Sequence, residues 1–453
     1  MPSLDPPRFI ANARLPRWLL PAQWPAADGE VALALLELED RRIGTIAPMR
    51  DDLPLPPLAG WNIHGALALP CFVDAHTHLD KAFTAARLGA VQPGLPGGIA
   101  ATAADRGRWT PADVHARASR ALDWAWHAGT RQLRTHINWW RPDEAPVAWQ
   151  VLDALKDEWA DRIALEKVAL CPLAFFEEAA QARAIVRRIA AGGSGAVVGA
   201  FVHSSGWNPD ALRNLLLSAQ ALGLDVDLHV DEELAPEARG VETTARILRE
   251  IGFAGRVVCS HACALAAQTP ARALATLDAV ARVPITIVSL PMANLLLQDA
   301  AQDRTPRLRG ITLVKEAAAR GIPLLFASDS VQDAFCRLGS LDPVETLSAA
   351  TMAAQLGDPF DAWSQSLCRA DWLQPAPRPR PVLAGEPADL VLFVDADPIG
   401  WPSRGAARVV LRQGVHAAGT VPPSWLQAGG ASSMRRHAST ISCRSQRKPS
   451  SAS

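Results

Sequence analysis

The sequence predicts a (β/α)8 barrel of the TIM type, joined to a small β-domain built from both chain ends. Between about residues 70 and 330, short apolar, β-branched runs alternate with Ala- and Leu-rich helical segments, as in parallel α/β folds. There are eight such runs, which favours a closed barrel over an open doubly wound sheet. No Gly-x-Gly-x-x-Gly follows the first run, which also disfavours a doubly wound nucleotide-binding fold.

The predicted elements follow in chain order. The eight barrel strands are expected at Phe72–His78, Gln132–His136, Ile163–Cys171, Ala196–Val202, Asp225–Val230, Arg256–His261, Ile285–Leu290 and Pro323–Ser328. Helical segments lie between most of them, for example Pro111–His127, Pro209–Leu222, Val241–Ile251 and Val314–Arg320. Outside the barrel, strands with turns are expected within Arg8–Ala13, Val31–Ile46, Ala388–Val394 and Arg408–Val415.

These elements suggest a domain division. Residues 69–374 are expected to form the barrel, and residues 1–68 and 375–426 the two parts of the small β-domain, because neither part is long enough for a core of its own. The Pro-rich segment Pro375–Pro381 would be the linker to the second part. Residues 427–453 carry five basic residues, many serines and no acid, so we expect a disordered tail.

Composition restricts the partners and the compartment. Forty-five Lys and Arg balance 46 Asp and Glu, so neither a nucleic acid nor an anionic membrane surface is an expected partner. The seven Cys form no CxxC pair, which favours a reducing compartment. Without a signal-peptide pattern or a long apolar stretch, the sequence predicts a cytoplasmic protein.

Chemistry-bearing side chains recur where the predicted strands stop. His76 and His78 are two residues apart, so both rings point to the same side of the first strand. His229 lies near the end of the fifth strand with Glu232 just beyond that end, the sixth strand ends at His261, and Asp329 follows the eighth. The C-terminal strand ends of a barrel meet at one face, so we expect these groups to form a site for Zn²⁺ or Fe²⁺.

Several motifs together resemble a known family. They are Phe72-Val73-Asp74-Ala75-His76-Thr77-His78, His229-Val230-Asp231-Glu232, Ser260-His261 and Ser328-Asp329. In these the chain resembles the amidohydrolase superfamily. It is more similar to the cytosine-deaminase-like branch, through Leu133-Arg134-Thr135-His136, the segment Arg309–Glu316 and the segment Pro291–Gln298. The resemblance extends over roughly residues 9–420.

The resemblance implies a cofactor and a set of roles. It implies one divalent metal ion, Zn²⁺ or Fe²⁺, with His76, His78, His229 and Asp329 as ligands. Glu232 would be the proton shuttle and His261 an acid or electrostatic partner, with Asp329 also holding a proton of the water. A divalent ion lowers the pKa of bound water, so hydroxide becomes available at pH 7. The binuclear subtype is disfavoured, since no Lys follows the fourth strand and Lys167 lies elsewhere.

The implied reaction is hydrolytic deamination of an aminated N-heterocycle with release of ammonia. Cytosine or a related pyrimidine or triazine is the leading candidate. Leu173 stands where cytosine deaminases carry a Gln, and Ser330 where they carry a second Asp, so these two residues are expected to face the substrate. Trp139, with its neighbour Trp140, and Trp207 fall on loops expected at the mouth, where they could stack on a flat ring or merely cover apolar surface.

Some alternatives stay open at this point. An amidohydrolase cleaving a cyclic amide or an N-alkylamino heterocycle is one alternative. A non-catalytic metal-binding barrel is another, although the complete set of candidate catalytic residues argues against it. Asp80 and Lys81, directly after the His pair, form either a local ion pair or a substrate contact. Barrels of this branch often associate, so a homo-oligomer is compatible with the resemblance.

Overall fold

The chain begins with short strands that lie outside the barrel. The computed structural model describes residues 5–427 apart from residues 51, 53 and 194. The strands before the barrel are β1 (Phe9–Ala13), β2 (Ala26–Ala27), β3 (Glu30–Val31), β4 (Ala34–Glu39), β5 (Arg42–Pro48), β6 (Gly60–Asn62) and β7 (Leu67–Pro70). Residues on β4 alternate between buried and more exposed positions, the period-two pattern of a sheet with one face on a core.

Eight parallel strands follow and form the barrel. They are β8 (Phe72–Thr77), β9 (Thr130–Asn138), β10 (Ala164–Pro172), β11 (Ala196–Val202), β12 (Val226–Val230), β13 (Val257–His261), β14 (Ile285–Ser289) and β15 (Leu324–Phe326). They lie side by side in chain order from β8 to β15. The predicted (β/α)8 barrel is therefore confirmed, and each predicted strand overlaps an observed one.

Helices connect the strands and cover the outside of the barrel. They are α1 (Gly94–Asp105), α2 (Pro111–Ala128), α3 (Val147–Glu158), α4 (Ala179–Ala190), α5 (Pro209–Ala221), α6 (Gly240–Ile251), α7 (Pro270–Val280), α8 (Pro291–Leu297), α9 (Val314–Ala318) and α10 (Pro343–Ala354). Helix α2 shows why they form where they do. Thr110 caps its start by accepting from the N–H of Asp113, and Gly129 ends it with a φ of 100°, a conformation that glycine adopts easily.

The barrel closes at residues that belong to the candidate site. Strand β15 stops at Phe326, and the backbone of Asp329 then meets β8. The N–H of Asp329 donates to the carbonyl of His76 at 2.8 Å, and the N–H of His78 donates to the carbonyl of Asp329 at 3.1 Å. Closure therefore places the end of β8 and the segment after β15 beside each other.

Both chain ends contribute to two further sheets. After the barrel come β16 (Leu390–Phe393), β17 (Arg408–Arg412), β18 (Val415–Ala418) and β19 (Leu426–Gln427). One sheet has the order β19-β6-β1-β4-β5 and the other β18-β17-β16-β7, and buried residues of both share one apolar cluster. This agrees with a β-domain built from both ends. The exact domain boundaries stay a prediction.

Two expectations concern the rest of the chain. The tail predicted for residues 427–453 lies, apart from Gln427, outside the described residues. Within the part of the chain that the structure describes, no helix has the length and apolar character needed to cross a membrane.

Candidate active site

The chemistry-bearing side chains predicted from the sequence meet at one end of the barrel. His76 lies on β8, His78 directly follows that strand, His229 lies on β12, and His261 ends β13. Asp329 follows β15, and all these side chains are buried. His261 and Asp329 have φ angles of 70° and 61°, left-handed values that turn the chain sharply where the strands end.

Three imidazole nitrogens face one another at close range. The Nε2 atom of His229 lies 3.1 Å from Nε2 of His76 and 3.0 Å from Nε2 of His78. The Oδ1 atom of Asp329 completes the group, 3.4 Å from Nε2 of His78 and 3.8 Å from Nε2 of His76. Four donor atoms from three parts of the barrel thus surround one point.

Hydrogen bonds on the far side of two rings fix which nitrogen carries the proton. Nδ1 of His76 donates to the hydroxyl of Ser260 at 2.8 Å, because that hydroxyl in turn donates to Asp227 at 3.3 Å. Nδ1 of His78 donates to the carbonyl of His136 at 3.2 Å. Both Nε2 atoms therefore present lone pairs to the shared point, which is the arrangement of metal-binding histidines.

This donor set fits a divalent metal ion. Burial lowers the pKa of His76, His78 and His229 well below the usual value, so the rings are neutral at pH 7. Ligand bonds of about 2.0–2.2 Å separate neighbouring ligand atoms by roughly 3–3.6 Å, close to the spacing found here. The lone pairs of His76 and His78 converge on one point, where a cation would satisfy both. His76, His78 and Asp329 also form one of the groups whose ligand atoms lie within 4.8 Å of one another.

Glu232 and His261 lie beside this group. Oε1 of Glu232 is 3.4 Å from Nδ1 of His261, which also receives a hydrogen bond from the side-chain amide of Asn294 at 3.1 Å. That hydrogen bond leaves the proton of His261 on Nε2, which has no partner among the described residues. His261 therefore has a free N–H donor, and Glu232 a carboxyl group, next to the atoms that could hold a metal ion.

Burial raises the pKa of two carboxyl groups at this site, those of Asp329 and Glu232. It raises the pKa of Asp329 to about 7 and the pKa of Glu232 well above its usual value. The negative charge of Asp329 raises the pKa of Glu232 further, whereas the positive charge of Lys81 opposes the shift in both. A carboxyl group that is protonated near neutral pH can deliver a proton to a reacting atom.

A cavity opens above these groups, and most of its wall is apolar. Its lining beyond the metal-binding side chains and Glu232 and His261 consists of Lys81, Leu95, Ile99, Asn138, Trp139, Trp140, Leu170, Cys171, Pro172, Phe201, Leu297, Ser330 and Phe335. Ser330 also donates a hydrogen bond to Oδ1 of Asp329 at 3.4 Å. The expected positions of Trp139 and Ser330 at the cavity agree with this lining.

Two residues expected at the substrate lie elsewhere. Leu173 begins the 3-10 turn Leu173–Phe176 after Pro172, and this turn directs it into the apolar core behind the strand. Trp207 follows the turn Ser204–Gly206 and packs, half-buried, against the outside of the same core. Neither residue is among those that line the cavity. Position after a strand end was therefore not enough to place a side chain at the mouth.

Other cavity residues carried no signal that we could recognise in the sequence. Leu95 and Ile99 come from α1, which packs near the mouth, and Phe335 comes from the loop after β15. Asn294 lies inside a motif that supported the family resemblance, but its contact with His261 depends on how α8 packs. These contacts join segments that are distant in sequence, so local sequence patterns do not predict them.

The position after the fourth strand carries no lysine. Strand β11 ends at Val202, and His203 follows it. Lys167 lies on β10, and its side chain points away from the barrel interior and forms an ion pair with Asp153 on α3. This placement agrees with the expectation that Lys167 lies away from the metal-binding group.

Comparison with known proteins identifies the family. The model of the amidohydrolase family matches residues 182–374. A pterin deaminase of Rhizobium rhizogenes is 37% identical over 370 residues, which cover 79% of this chain and 82% of the relative. The chain belongs to the amidohydrolase family. As an amidohydrolase it is a hydrolytic enzyme acting on C–N bonds, in a family that depends on metal ions, as predicted from the sequence.

Solved structures agree with this assignment. The 5-methylcytosine deaminase of Klebsiella pneumoniae, liganded with phosphonocytosine, is 27% identical with a TM-score of 0.73, covering 91% of this chain and 98% of its own. The N-isopropylammelide isopropylaminohydrolase of Burkholderia multivorans shares the fold at 22% identity and a TM-score of 0.67, covering 90% of this chain and 97% of its own. The similarity to deaminases confirms the resemblance to the cytosine-deaminase-like branch of the amidohydrolases.

Proposed function

We propose that this amidohydrolase is a metal-dependent hydrolytic deaminase that releases ammonia from an aminated N-heterocycle, with a pterin as its substrate. The observation that carries the proposal is the cavity in which four metal-binding atoms, a buried Glu232 and a free N–H of His261 lie together. Two of the residues lining the cavity are tryptophans, whose flat faces suit a planar ring.

A pterin is favoured over cytosine by sequence similarity. The pterin deaminase is 37% identical to this chain, against 27% for the 5-methylcytosine deaminase. Pterin contains a 2-amino-4-oxopyrimidine ring fused to a second ring, whereas cytosine is a 4-amino-2-oxopyrimidine. A pterin therefore differs from the leading candidate predicted from the sequence but belongs to the predicted class of aminated N-heterocycles. Trp139, Trp140, Phe201 and Phe335 provide aromatic surface along the cavity for such a bicycle.

In this proposal one divalent ion, Zn²⁺ or Fe²⁺, is held by His76, His78, His229 and Asp329. The ion would supply Lewis-acid chemistry and lower the pKa of a water molecule. Only one ion is proposed, because the position after the fourth strand offers His203 and no lysine. Zn²⁺ and Fe²⁺ accept the same nitrogen and oxygen ligands.

The protein's own groups then move protons and stabilise charge. Glu232 delivers a proton to a ring nitrogen next to the attacked carbon, takes a proton from the hydroxyl that forms there, and passes it to the departing amino group. The proton that Asp329 takes from the water then returns to Glu232, so both transferred protons come from the water. The N–H of His261 donates a hydrogen bond to the oxygen that forms at that carbon, and Asn294 keeps the proton on this side of the ring. Asp329 takes a proton from the water. Ser330 and Trp139 line the space where the ring would lie.

The test is product analysis with the metal-loaded protein. Purified protein supplied with Zn²⁺ or Fe²⁺ is incubated with pterin, cytosine, 5-methylcytosine and N-isopropylammelide, and ammonia, isopropylamine and the ring products are measured. Ammonia together with the 2-oxo product from pterin supports the proposal. Release of isopropylamine alone identifies an N-alkylamino hydrolase, and a metal-loaded protein without any hydrolysis identifies a non-catalytic barrel. A cytoplasmic location and association into a homo-oligomer stay predictions.

A further inference from the structure

Lys81 carries a positive charge on the wall of the active-site cavity. Lys81 as a whole is only 5% exposed, and it lines the cavity together with Glu232 and Asp329. Within the described ranges of the chain, no carboxylate forms an ion pair with its ammonium group, and no acceptor takes a hydrogen bond from it. An ammonium group has three N–H donors, and at this cavity wall none of them has an acceptor among the described residues.

One oxygen of the neighbouring Asp80 carboxylate is already occupied, and the other has no hydrogen-bond partner among the described residues. Oδ2 of Asp80 accepts hydrogen bonds from the backbone N–H and the side-chain amide of Asn138, each at 3.0 Å. The local ion pair between Asp80 and Lys81, one of two alternatives left by the sequence, does not form. The other alternative, a contact between Lys81 and the substrate, is the one that the geometry favours.

The surroundings hold the ammonium group in a fixed place. Nζ of Lys81 lies 3.8 Å from the centroid of the Phe335 ring, which is the distance of a cation–π contact. Asp333 fixes the loop by accepting from the N–H of Phe335 at 2.8 Å and of Cys336 at 3.0 Å. On the other side, α1 packs so closely that a Cβ on Gly98 would lie 2.6 Å from the Phe335 ring.

We propose that Lys81 determines specificity by donating a hydrogen bond to an oxygen on the substrate ring. The substrates would then be amino-heterocycles that carry a ring carbonyl, such as the 4-oxo group of a pterin. Apart from Glu232, Asp329 and the other polar side chains of the site, the cavity wall is mostly apolar, so a ring oxygen would be an acceptor for this ammonium group, which has none among the described residues. The inference rests on the proposed function, since it assigns the ring chemistry that the same site selects.

Binding of two unreactive rings tests the proposal. 2-Methylpteridin-4-one and 2,4-dimethylpteridine differ in the group at position 4, an oxygen in one and a methyl in the other, and neither has an amino group to lose. Their affinities for the metal-loaded protein are measured by titration calorimetry. Since hydrogen bonds to charged groups are the stronger ones, we expect the wild-type protein to bind the 4-oxo ring about 10–100-fold more tightly. Lys81→Met should bind both rings equally.

Lys167 offers a matched control. It is also a buried lysine, but it pairs with Asp153 outside the barrel, so Lys167→Met should keep the preference for the oxygen-bearing ring. The proposal is overturned if the Lys81→Met variant still prefers the 4-oxo ring, or if it binds both rings more weakly by the same factor. If the Lys81→Met variant does not fold, the wild-type protein alone decides: equal affinity for the two rings would also overturn the proposal.

The result is separable from the proposed deaminase activity. Wild-type protein that prefers the 4-oxo ring but releases no ammonia from any amino-heterocycle would contradict the deaminase and leave the role of Lys81 standing. If instead the wild-type protein deaminates pterin and the Lys81→Met variant still prefers the 4-oxo ring, the deaminase activity is supported and the role of Lys81 is contradicted.

Discussion

The hydroxyl of Ser260 orients His76, one of the proposed metal ligands, through the ring nitrogen that faces away from the site. It accepts from Nδ1 of His76 and donates to Asp227, so it keeps the lone pair of His76 directed at the shared point. We expect Ser260→Ala to weaken Zn²⁺ binding by about 10–100-fold, the usual effect of losing such a partner. Competition with a fluorescent chelator measures the affinity. Ser289→Ala is the control, because the Ser289 hydroxyl is buried and has no hydrogen-bond partner in the described part of the chain. Equal affinities in the two variants would contradict the role of Ser260.

A substitution of Glu232 tests proton transfer without changing the proposed metal ligands. It lies next to His261 and is not one of the proposed ligands. Glu232→Gln should therefore keep its metal content while kcat falls by about 10²–10⁴-fold, the range for loss of a general acid or base. Metal analysis and ammonia release are measured on the same sample. Glu233→Gln is the matched control, since that carboxylate binds Ser204 instead. A Glu232→Gln variant with full activity, or one without metal, would show that the role is misassigned.

At the scale of an element, one carboxylate joins the loop after β12 to helix α6. Asp231 has a left-handed φ of 51° and accepts from the N–H of Gly240 and of Val241, each at 2.9 Å. These N–H groups begin α6 and have no partner further back in the helix. Because both are buried, Asp231→Ala should lower the free energy of unfolding by about 1–3 kcal/mol. Urea unfolding measures the loss, and Asp231→Asn, which keeps one acceptor, should lose less. An alanine variant as stable as the wild type would refute the capping role.

The elements also show which features the sequence could predict. Strand β11 was predicted with its exact bounds, because an apolar run between polar segments is a local pattern. The strand ends then located the histidines, since parallel strands end at one face of a barrel. Leu173 could not be placed this way, because the 3-10 turn after β10 depends on packing against the helices. Phe335 and α1 approach Lys81 only through tertiary contacts, which local patterns do not record.

Over the whole molecule, the C-terminal strands are bound tightly to the barrel. Arg412 on β17 donates to the carbonyls of Thr130 and Arg162 at 2.8 and 2.9 Å, and its guanidinium lies 4.2 Å from the centroid of the Trp126 ring. Buried residues of β16 and β17 also belong to the apolar cluster that surrounds the barrel strands. The barrel and these strands should therefore unfold together rather than as separate units.

Cys71 can report on this coupling, because it lies at the junction between β7 and β8. Its thiol contacts the carbonyl of Leu411 on β17 at 3.7 Å, and burial raises its pKa to about 12. The native thiol should stay protonated and unreactive towards iodoacetamide from pH 7 to pH 9, whereas an unfolded thiol reacts faster as pH rises through its ordinary pKa. With increasing urea, mass spectrometry should show Cys71 becoming reactive at the same concentration as Cys171 and Cys259, which are buried in the barrel strands. Labelling of Cys71 at a lower urea concentration would show that the C-terminal strands detach first, and the single cooperative transition would be wrong.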